Sequence, residues 1–285
     1  MSTLRQLSLT LASSLEAVYP ASEADSIAGL VLEHLLGVTP LQRRMQAQEP
    51  VPEEVEEQLP ALQARLLQHE PLQYVLGEAW FMDMTLEVTP ATLIPRPETE
   101  ELVQLIIQEC SEVDSVLDVG TGSGCIPLAL CRALQPTQVT AVDISAEALA
   151  VARRNAVRYG CEIDFQQLDI LKETPHRILP HTLDVLVSNP PYVLENERAS
   201  MRPNVLNFEP ATALFVPDND PLLFYRRIAE LGIMLLKAGG SLYFEINEQY
   251  ANQTVSLLTG LGYTAVAARP DIFDKERMVR ATWPR

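Results

Sequence analysis

Residues 115–130 read SVLDVGTGSGCIPLAL, and this stretch decides the fold. Its first five residues are typical of a short buried strand, and CIPLALCRAL (125–134) is typical of a helix. Between them, Gly120, Gly122 and Gly124 allow positive φ and a close approach of the backbone to a ligand. The stretch therefore predicts a strand, a glycine-rich turn and a helix in direct succession.

Strands and helices alternate on both sides of this stretch. Apolar periodicity predicts helices at 101–109 and 253–261, and strands at 139–144, 163–170, 183–188 and 241–247. A long helix is predicted from residue 220 to the pair Gly239-Gly240, and the tail contains two strand-like runs around a charged turn. Such alternation predicts an α/β fold with a mostly parallel sheet and helices on both faces.

The first part of the chain has a different pattern. Leucines recur at helical spacing from Leu4 to Leu15, and Thr39-Pro40 is typical of an N-cap followed by proline at the first helical position. Short, closely joined helices predict a small bundle over residues 1–71. Alternating apolar residues then predict a β-hairpin linker at 72–90, which leaves 91–285 for the α/β domain.

Composition excludes some functional classes. The formal net charge of −17 disfavours binding to a phosphate backbone, which depends on Lys and Arg. No run is apolar enough to cross a bilayer, and the first residues do not resemble a signal peptide. The four cysteines lack CxxC pairing and the four histidines lack metal-ligand spacing. We therefore expect a cytoplasmic protein with no metal ion and no membrane contact.

An acidic residue follows the glycine turn at the sequence separation that is typical of a ribose-binding carboxylate. Asp143 ends the next strand, about 20 residues after the glycines, where a carboxylate can accept both ribose hydroxyls. After the third strand, Asp169 is expected near an exocyclic amine and Ile170 against an adenine ring. A nucleoside with an amino-acid tail fits this arrangement, as in S-adenosyl-L-methionine. The G-x-G-x-G spacing counts against the alternative, a nicotinamide-dependent reductase, which would carry G-x-G-x-x-G.

The fourth strand of the series ends in Asn189-Pro190-Pro191-Tyr192. Two adjacent prolines fix the loop and leave the Pro190 carbonyl without a local partner. The Asn189 side-chain oxygen and this carbonyl can accept both N–H bonds of a planar amino group, while Tyr192 stacks on it. Asn189, Pro190 and Tyr192 are thus the predicted catalytic residues, acting by positioning and electrostatics on an in-line methyl transfer. The pattern alone fits adenine N6, cytosine N4, guanine N2 or glutamine N5.

Five segments together resemble one protein family, the HemK/PrmC methyltransferases, which modify the glutamine of the Gly-Gly-Gln motif in bacterial peptide chain release factors. These segments are LIPRPETEELV (93–103), LDVGTGSGCIPLAL (117–130), AVDIS (141–145), SNPPYV (188–193) and FEPATAL (208–214). The resemblance covers nearly the whole chain. It implies a Rossmann-like domain dependent on S-adenosyl-L-methionine, with an antiparallel last strand and S-adenosyl-L-homocysteine as product.

The resemblance also implies roles for individual residues. Those that would bind the cofactor are Gly120, Thr121, Gly122, Ser123, Gly124, Asp143, Asp169, Ile170 and Asn189. Those that would bind the substrate glutamine are Asn189, Pro190, Pro191, Tyr192, Arg96 and Glu98, with structural bracing as the open alternative for Arg96 and Glu98. Glu209 would brace the NPPY loop. In one departure, Asp274 occupies a turn position where the family usually has glycine, and aspartate tolerates left-handed backbone better than most residues.

The expected partner is a release factor, with no direct contact to nucleic acid, and the N-terminal helical domain is its expected docking surface. Two other interpretations stay open. One is methylation of an amino group on a nucleic-acid base, such as adenine N6 or guanine N2, or on another protein. The other is a binding module that has lost its chemistry.

Overall fold

The computed structural model describes residues 2–284 and divides the chain into two compact units. The first unit extends to Gly77 and includes Arg202–Phe208. The second unit contains Glu78–Met201 and the chain from Glu209 onward.

The helices and strands follow one another along the chain as follows. The helices are α1 Leu4–Leu15, α2 Ala21–Leu36, α3 Pro40–Met45, α4 Glu53–Leu66, α5 Leu72–Leu76, α6 Pro97–Glu109, α7 Cys125–Leu134, α8 Ala146–Tyr159, α9 Pro203–Phe208, α10 Ala211–Leu214, α11 Leu223–Leu235 and α12 Ala251–Gly260. The strands are β1 Glu78–Phe81, β2 Met84–Glu87, β3 Ser115–Val119, β4 Gln138–Asp143, β5 Asp164–Gln167, β6 Leu183–Ser188, β7 Val193–Leu194, β8 Phe215–Val216, β9 Leu236–Glu245, β10 Thr264–Pro270 and β11 Glu276–Thr282. None of the helices in residues 2–284 is both long and apolar enough to span a bilayer.

The first unit is built from α1 to α5 together with α9. Leu11, Leu15 and Val31 are buried in its core and project from α1 and α2. Thr39 caps α3 through its side chain and Pro40 is the first helical residue, so this predicted helix start is confirmed. Within the predicted linker, residues 72–76 form α5 rather than a strand, and the hairpin of β1 and β2 covers 78–87.

A central sheet organises the second unit. Within the described residues it has seven strands in the order β10-β11-β9-β6-β3-β4-β5. The strands from β9 to β5 are parallel, whereas β11 is antiparallel to both of its neighbours. The predicted mostly parallel sheet with an antiparallel last strand is thus confirmed. Asp274, in the turn before β11, has a φ of 59°, the left-handed conformation that the sequence analysis associated with aspartate.

Successive strand residues pack against opposite layers of helices. Leu117 and Leu186 face a core that contains Ile228 of α11. Val116 and Val185 face the other core, which holds residues of α6, α7 and the β1–β2 hairpin. Both faces of the sheet are therefore covered, which explains why every residue of β6 is buried and why all but Asp184 and Ser188 are apolar.

The predicted helix from residue 220 to Gly239-Gly240 is wrong at its C-terminal end. Helix α11 ends at Leu235, and Leu236 begins β9 by pairing with Leu183. The two glycines do not cap a helix. Gly239 has a φ of 81° beside a register irregularity, and the Gly240 carbonyl accepts from the Trp283 amide. A bulge in a strand and a helix C-terminus both favour glycine, so the local sequence did not distinguish them.

Gly232 in α11 provides a test of how tightly this core is packed. An added Cβ would meet the Tyr263 hydroxyl, which is held in place because it donates to the Ala229 carbonyl at 2.7 Å. The same Cβ would lie 3.2 Å from the side chains of Leu186 and Leu236. We expect Gly232→Ala to lower the free energy of unfolding by about 1–3 kcal/mol, measured by urea denaturation.

Gly260→Ala is the matched control. It is also a helical glycine, but an added Cβ there meets nothing within 4 Å. Its stability should stay level or rise by up to about 1 kcal/mol because alanine favours helix. Equal effects of the two substitutions would contradict the packing argument.

Candidate active site

The glycine turn and the NPPY loop meet because β3 and β6 are paired neighbours. Val119 lies opposite Ser188, and the Ser188 hydroxyl donates to the Val119 carbonyl at 2.6 Å. Gly120 and Asn189 follow these two residues directly. The strand order also reverses here, since the chain runs from β3 outward to β5 and then returns to β6 on the other side. Ligands of open α/β sheets bind at such a reversal, beyond the carboxyl ends of the strands.

A cavity of about 320 Å³ lies at this edge of the sheet. Its volume falls in the usual range for small-molecule sites. The predicted residues that line it are Gly120, Gly122, Asp143, Asp169, Ile170, Asn189, Pro190 and Pro191. The structure thus brings the three predicted segments together around one cavity.

The glycine turn is anchored to the adjacent strand. The Gly120 and Thr121 amides both donate to the Val142 carbonyl, at 2.9 and 3.0 Å. Gly120, Gly122 and Gly124 all have positive φ, between 54° and 83°. Only glycine adopts such a series of angles without strain, so the turn needs these residues at these positions.

The other members of the turn do not line the cavity. The side chains of Thr121 and Ser123 are buried, and within the described residues their hydroxyls have no hydrogen-bond partner. An added Cβ at Gly124 would lie 3.2 Å from that of Ala152, so this glycine permits α7 to approach α8. The cofactor-binding role predicted for these three residues remains a prediction.

Asp143 connects the glycine turn to the start of α8. Its Oδ2 accepts from the Gly122 amide at 2.8 Å, and its Oδ1 accepts from the Ser145 amide at 2.9 Å. Burial raises the pKa of this carboxyl, although both amide bonds favour the ionised form. Asp143 therefore holds the turn in shape while lining the cavity.

Asp169 and Ile170 lie on the wall of the cavity, and their predicted contact with an adenine stays a prediction. Asp169 forms an ion pair with Lys172 at 2.8 Å, and this hydrogen-bonded contact lowers the pKa of its carboxyl. Ile170 is buried, and its carbonyl accepts from the guanidinium of Arg227. Ile170 thus offers an apolar surface beside a carboxylate that stays ionised.

The NPPY loop does not place all its side chains in the cavity. Asn189, Pro190 and Pro191 line it, whereas Tyr192 packs against the core beside α11. The Tyr192 hydroxyl donates to Glu245 Oε1 at 3.0 Å, and burial raises the pKa of this phenol well above its usual value. Stacking of Tyr192 on a substrate stays a prediction.

Two residues that the sequence analysis missed contact this loop. The Asn189 side-chain Nδ2 donates to Thr99 Oγ1 at 3.1 Å, and Thr99 Oγ1 donates to Glu245 Oε2 at 2.6 Å. Glu245 is only 1% exposed, and burial raises its pKa. A signal for Glu245 was present in the sequence, because this acid directly follows the hydrophobic residues 242–244 at the carboxyl end of a strand.

Arg96 and Glu98 are not among the described residues that line the cavity. Arg96 forms an ion pair with Glu209 at 2.5 Å, and Glu209 also accepts from the Ile94 amide at 3.3 Å. The buried Glu209 thus braces the segment before α6, whereas the sequence analysis had expected it to brace the NPPY loop. The segment before α6 and the segment that follows Glu209 both supply cavity residues that the sequence analysis missed. These residues are Ala91, Leu93, Pro210, Thr212, Ala213 and Phe215.

Asp118 is the most unusual group near the site. It is completely buried at the end of β3, and neither oxygen has a hydrogen-bond partner within the described residues. Burial, and to a smaller degree the charge of Asp143, raise its pKa to about 7. Two other carboxyl groups, those of Asp143 and Asp169, line the cavity and favour a cationic ligand, and S-adenosyl-L-methionine carries both an ammonium and a sulfonium. The residues present therefore fit this methyl donor.

Comparisons with known proteins agree with this geometry. Residues 98–206 match the family described as Methyltransferase small domain, and residues 6–77 match the PrmC N-terminal domain. A release factor glutamine methyltransferase of Bacteroides thetaiotaomicron is 41% identical over 278 residues, which is 98% of this chain and 99% of the relative. One of Flavobacterium psychrophilum is 43% identical, over 77% of this chain and 78% of the relative. A methyltransferase structure from Pyrococcus furiosus shares the fold, with a TM-score of 0.53, 17% identity and coverage of 78% of this chain and 98% of that one.

The buried Asp118 predicts a pH dependence of stability. An aspartate of an unfolded chain titrates near pH 4, whereas this one titrates at about 7 in the folded protein. Between these pH values the folded state binds more protons than the unfolded state. The stabilising contribution of Asp118 protonation is therefore present at low pH, and the free energy of unfolding decreases as the pH rises. Asp118→Asn removes this loss. We expect the stability of the variant relative to wild type to increase by about 2–3 kcal/mol from pH 5 to pH 8.

Urea denaturation of both proteins at the two pH values measures this difference. Other titrating groups are common to both proteins and cancel in the comparison. A difference that stays constant with pH would show that Asp118 is not protonated in the folded state.

Proposed function

This chain belongs to the release factor glutamine methyltransferase family, and on that premise we propose that it methylates the side-chain amide nitrogen of a glutamine in a release factor. The proposed methyl donor is S-adenosyl-L-methionine, and the proposed target is the glutamine of the Gly-Gly-Gln motif. One observation carries the proposal. The glycine turn and the NPPY loop follow paired residues of β3 and β6 and line the same cavity.

The residues that would hold the donor lie on one side of the cavity. The turn from Gly120 to Gly124 and the carboxylate of Asp143 would bind its amino-acid and ribose parts, and Asp169 and Ile170 would bind the adenine. When bound, the donor supplies a methyl group on a sulfonium, which is open to in-line displacement. The carboxyl groups of Asp143 and Asp169, which line the cavity, favour a cation here.

The residues that would hold the acceptor are Asn189 and Pro190. A carboxamide nitrogen is a poor nucleophile because its lone pair is delocalised. The Asn189 Oδ1 and the Pro190 carbonyl would accept its two N–H bonds and fix its direction, so that positioning supplies most of the catalysis. The glutamine nitrogen would gain the methyl carbon as the methyl–sulfur bond breaks, so that S-adenosyl-L-homocysteine leaves as a neutral thioether and one N–H proton is released to solvent. Contributions of Tyr192, Pro191, Arg96 and Glu98 to substrate binding are part of the same proposal.

A protein substrate is favoured over a nucleic acid by the net charge of −17. We propose that the N-terminal helices dock this protein, with the domain limits given by the sequence analysis. We also place the enzyme in the cytoplasm, where release factors act, and the four free cysteines suit such a reducing compartment.

Transfer of label tests the proposed substrate. The protein is incubated with methyl-labelled S-adenosyl-L-methionine and a purified release factor, and digestion should place the label on the peptide with Gly-Gly-Gln. The matched control is the same release factor with that glutamine replaced by alanine, which should remain unlabelled. Label on DNA or RNA, with none on the release factor, would favour the rival interpretation of a nucleic-acid methyltransferase.

Two substitutions separate the roles of the two loops. Asn189→Ala should remove most turnover while lowering the affinity for S-adenosyl-L-homocysteine less, because Asn189 mainly orients the acceptor. Asp143→Ala should weaken that affinity by about 1.5–3 kcal/mol, since it removes charge-assisted hydrogen bonds and the anchor of the glycine turn. Calorimetry measures both affinities. Equal losses of affinity in the two variants would contradict this division.

A further inference from the structure

We propose that Thr99 and Glu245 are positioning residues that determine which end of the Asn189 amide faces the acceptor. This inference rests on the proposed function, because it concerns how Asn189 meets a planar amino group. Thr99 is 3% exposed and Glu245 is 1% exposed, and neither lines the cavity. Both would therefore act through Asn189.

Counting protons fixes the direction of the hydrogen bonds. A threonine hydroxyl has one proton, and that of Thr99 is committed to Glu245 Oε2 at 2.6 Å. Its oxygen can then only accept, and it accepts from the Asn189 Nδ2 at 3.1 Å. The NH2 end of the amide consequently faces Thr99, and the Oδ1 end is turned away from it. This is the end needed to accept an N–H bond from a substrate amide.

The carboxylate of Glu245 is held at both oxygens. Oε2 accepts from Thr99, and Oε1 accepts from the Tyr192 hydroxyl at 3.0 Å. The titratable and charged groups that act on it from the surrounding elements are Glu98 of α6, Cys125 of α7, Tyr192, Tyr225 of α11 and Arg277 of β11. Among these, Arg277 provides the positive charge that favours its ionised form.

Protonation of Glu245 would reverse the chain of hydrogen bonds. A protonated carboxyl can donate to Thr99, which frees the threonine proton for the Asn189 Oδ1. The amide would then turn and present its NH2 group to the NH2 group of the acceptor, and two donors do not bind each other. Turnover should accordingly need ionised Glu245 and fall as the pH drops. Since burial raises the pKa of Glu245, this fall should occur above the usual glutamate range.

Thr99→Val and Thr99→Ser test the inference as a pair. Valine keeps the shape of threonine but has no hydroxyl, so we expect kcat to fall about 10- to 100-fold through misplacement of Asn189. Serine retains the hydroxyl and should restore kcat close to the wild-type value. In both variants the affinity for S-adenosyl-L-homocysteine should match wild type, and kcat is expressed per binding site titrated with this compound.

Thr254→Val is the matched control for the loss of a buried hydroxyl. Thr254 is fully buried in α12, and its hydroxyl donates to the Tyr250 carbonyl rather than to the site. Its kcat should equal that of wild type. The inference is overturned if Thr99→Val keeps wild-type kcat, or if Thr99→Ser is as slow as Thr99→Val.

The pH profile adds a readout that a purely structural role would not change. At saturating methyl donor, kcat of the wild-type protein should decrease on the acid side as Glu245 takes up a proton. In Thr99→Val this decrease should be absent, because the hydrogen bonds that connect Glu245 to Asn189 through the Thr99 hydroxyl are removed. An unchanged acid limb in the variant would contradict the inference. A wild-type kcat that does not decrease on the acid side would contradict it as well, and this outcome can be observed even if the variant does not fold.

Failure of the proposed function would look different. A wild-type protein that labels a nucleic-acid base instead of a release factor would overturn the assigned substrate. The Thr99 series would then be repeated with that base, because orientation of Asn189 matters for any planar amino group.

Discussion

The pairing of β3 with β6 is the constraint on which the candidate site depends. Parallel register places Val119 opposite Ser188, so the two loops that follow must begin side by side. Slippage by one residue would exchange the faces of β6, moving Val185 out of one core and Leu186 out of the other. Because both faces are buried, the hydrophobic cores fix the register, and the register fixes how the glycine turn and the NPPY loop meet. Packing far from the cavity thus sets the geometry of its two halves.

Three carboxyl groups, two buried and one half-buried, lie near the carboxyl ends of strands of the central sheet, and their surroundings give them different properties. Asp118 on β3 has no hydrogen-bond partner within the described residues, Asp143 on β4 accepts from two backbone amides, and Glu245 on β9 accepts from two hydroxyls. Burial raises the pKa of each, which costs stability. Asp143 lines the cavity, and Glu245 is linked through Thr99 to Asn189, which also lines it; perturbed carboxyl groups at such a place are typical of functional sites.

The features that could be predicted from the sequence are those that depend on residues close to one another along the chain. Glycine turns, the cap at Thr39, the left-handed Asp274 and the apolar strands all follow from local rules, and the structure bears them out. The contact between Thr99 and Glu245 joins residues 146 positions apart, and only the sheet order brings them together. The end of α11 at Leu235 was missed for the same reason, because Leu236 pairs with a strand more than 50 residues earlier. Long-range pairing overrides a local signal wherever both compete for the same backbone.

Tyr192 anchors the NPPY loop to the central sheet through a hydrogen bond to Glu245. The sequence favoured a ring stacked on the substrate, yet the phenol donates to Glu245, the same carboxylate that Asn189 reaches through Thr99. The first and last residues of the motif are therefore both tied to one buried acid on β9. The two prolines between them remove backbone freedom and backbone donors. A loop fastened at both ends and stiff in the middle can keep the Asn189 Oδ1 and the Pro190 carbonyl in fixed positions, which is what orientation of an unreactive amide requires.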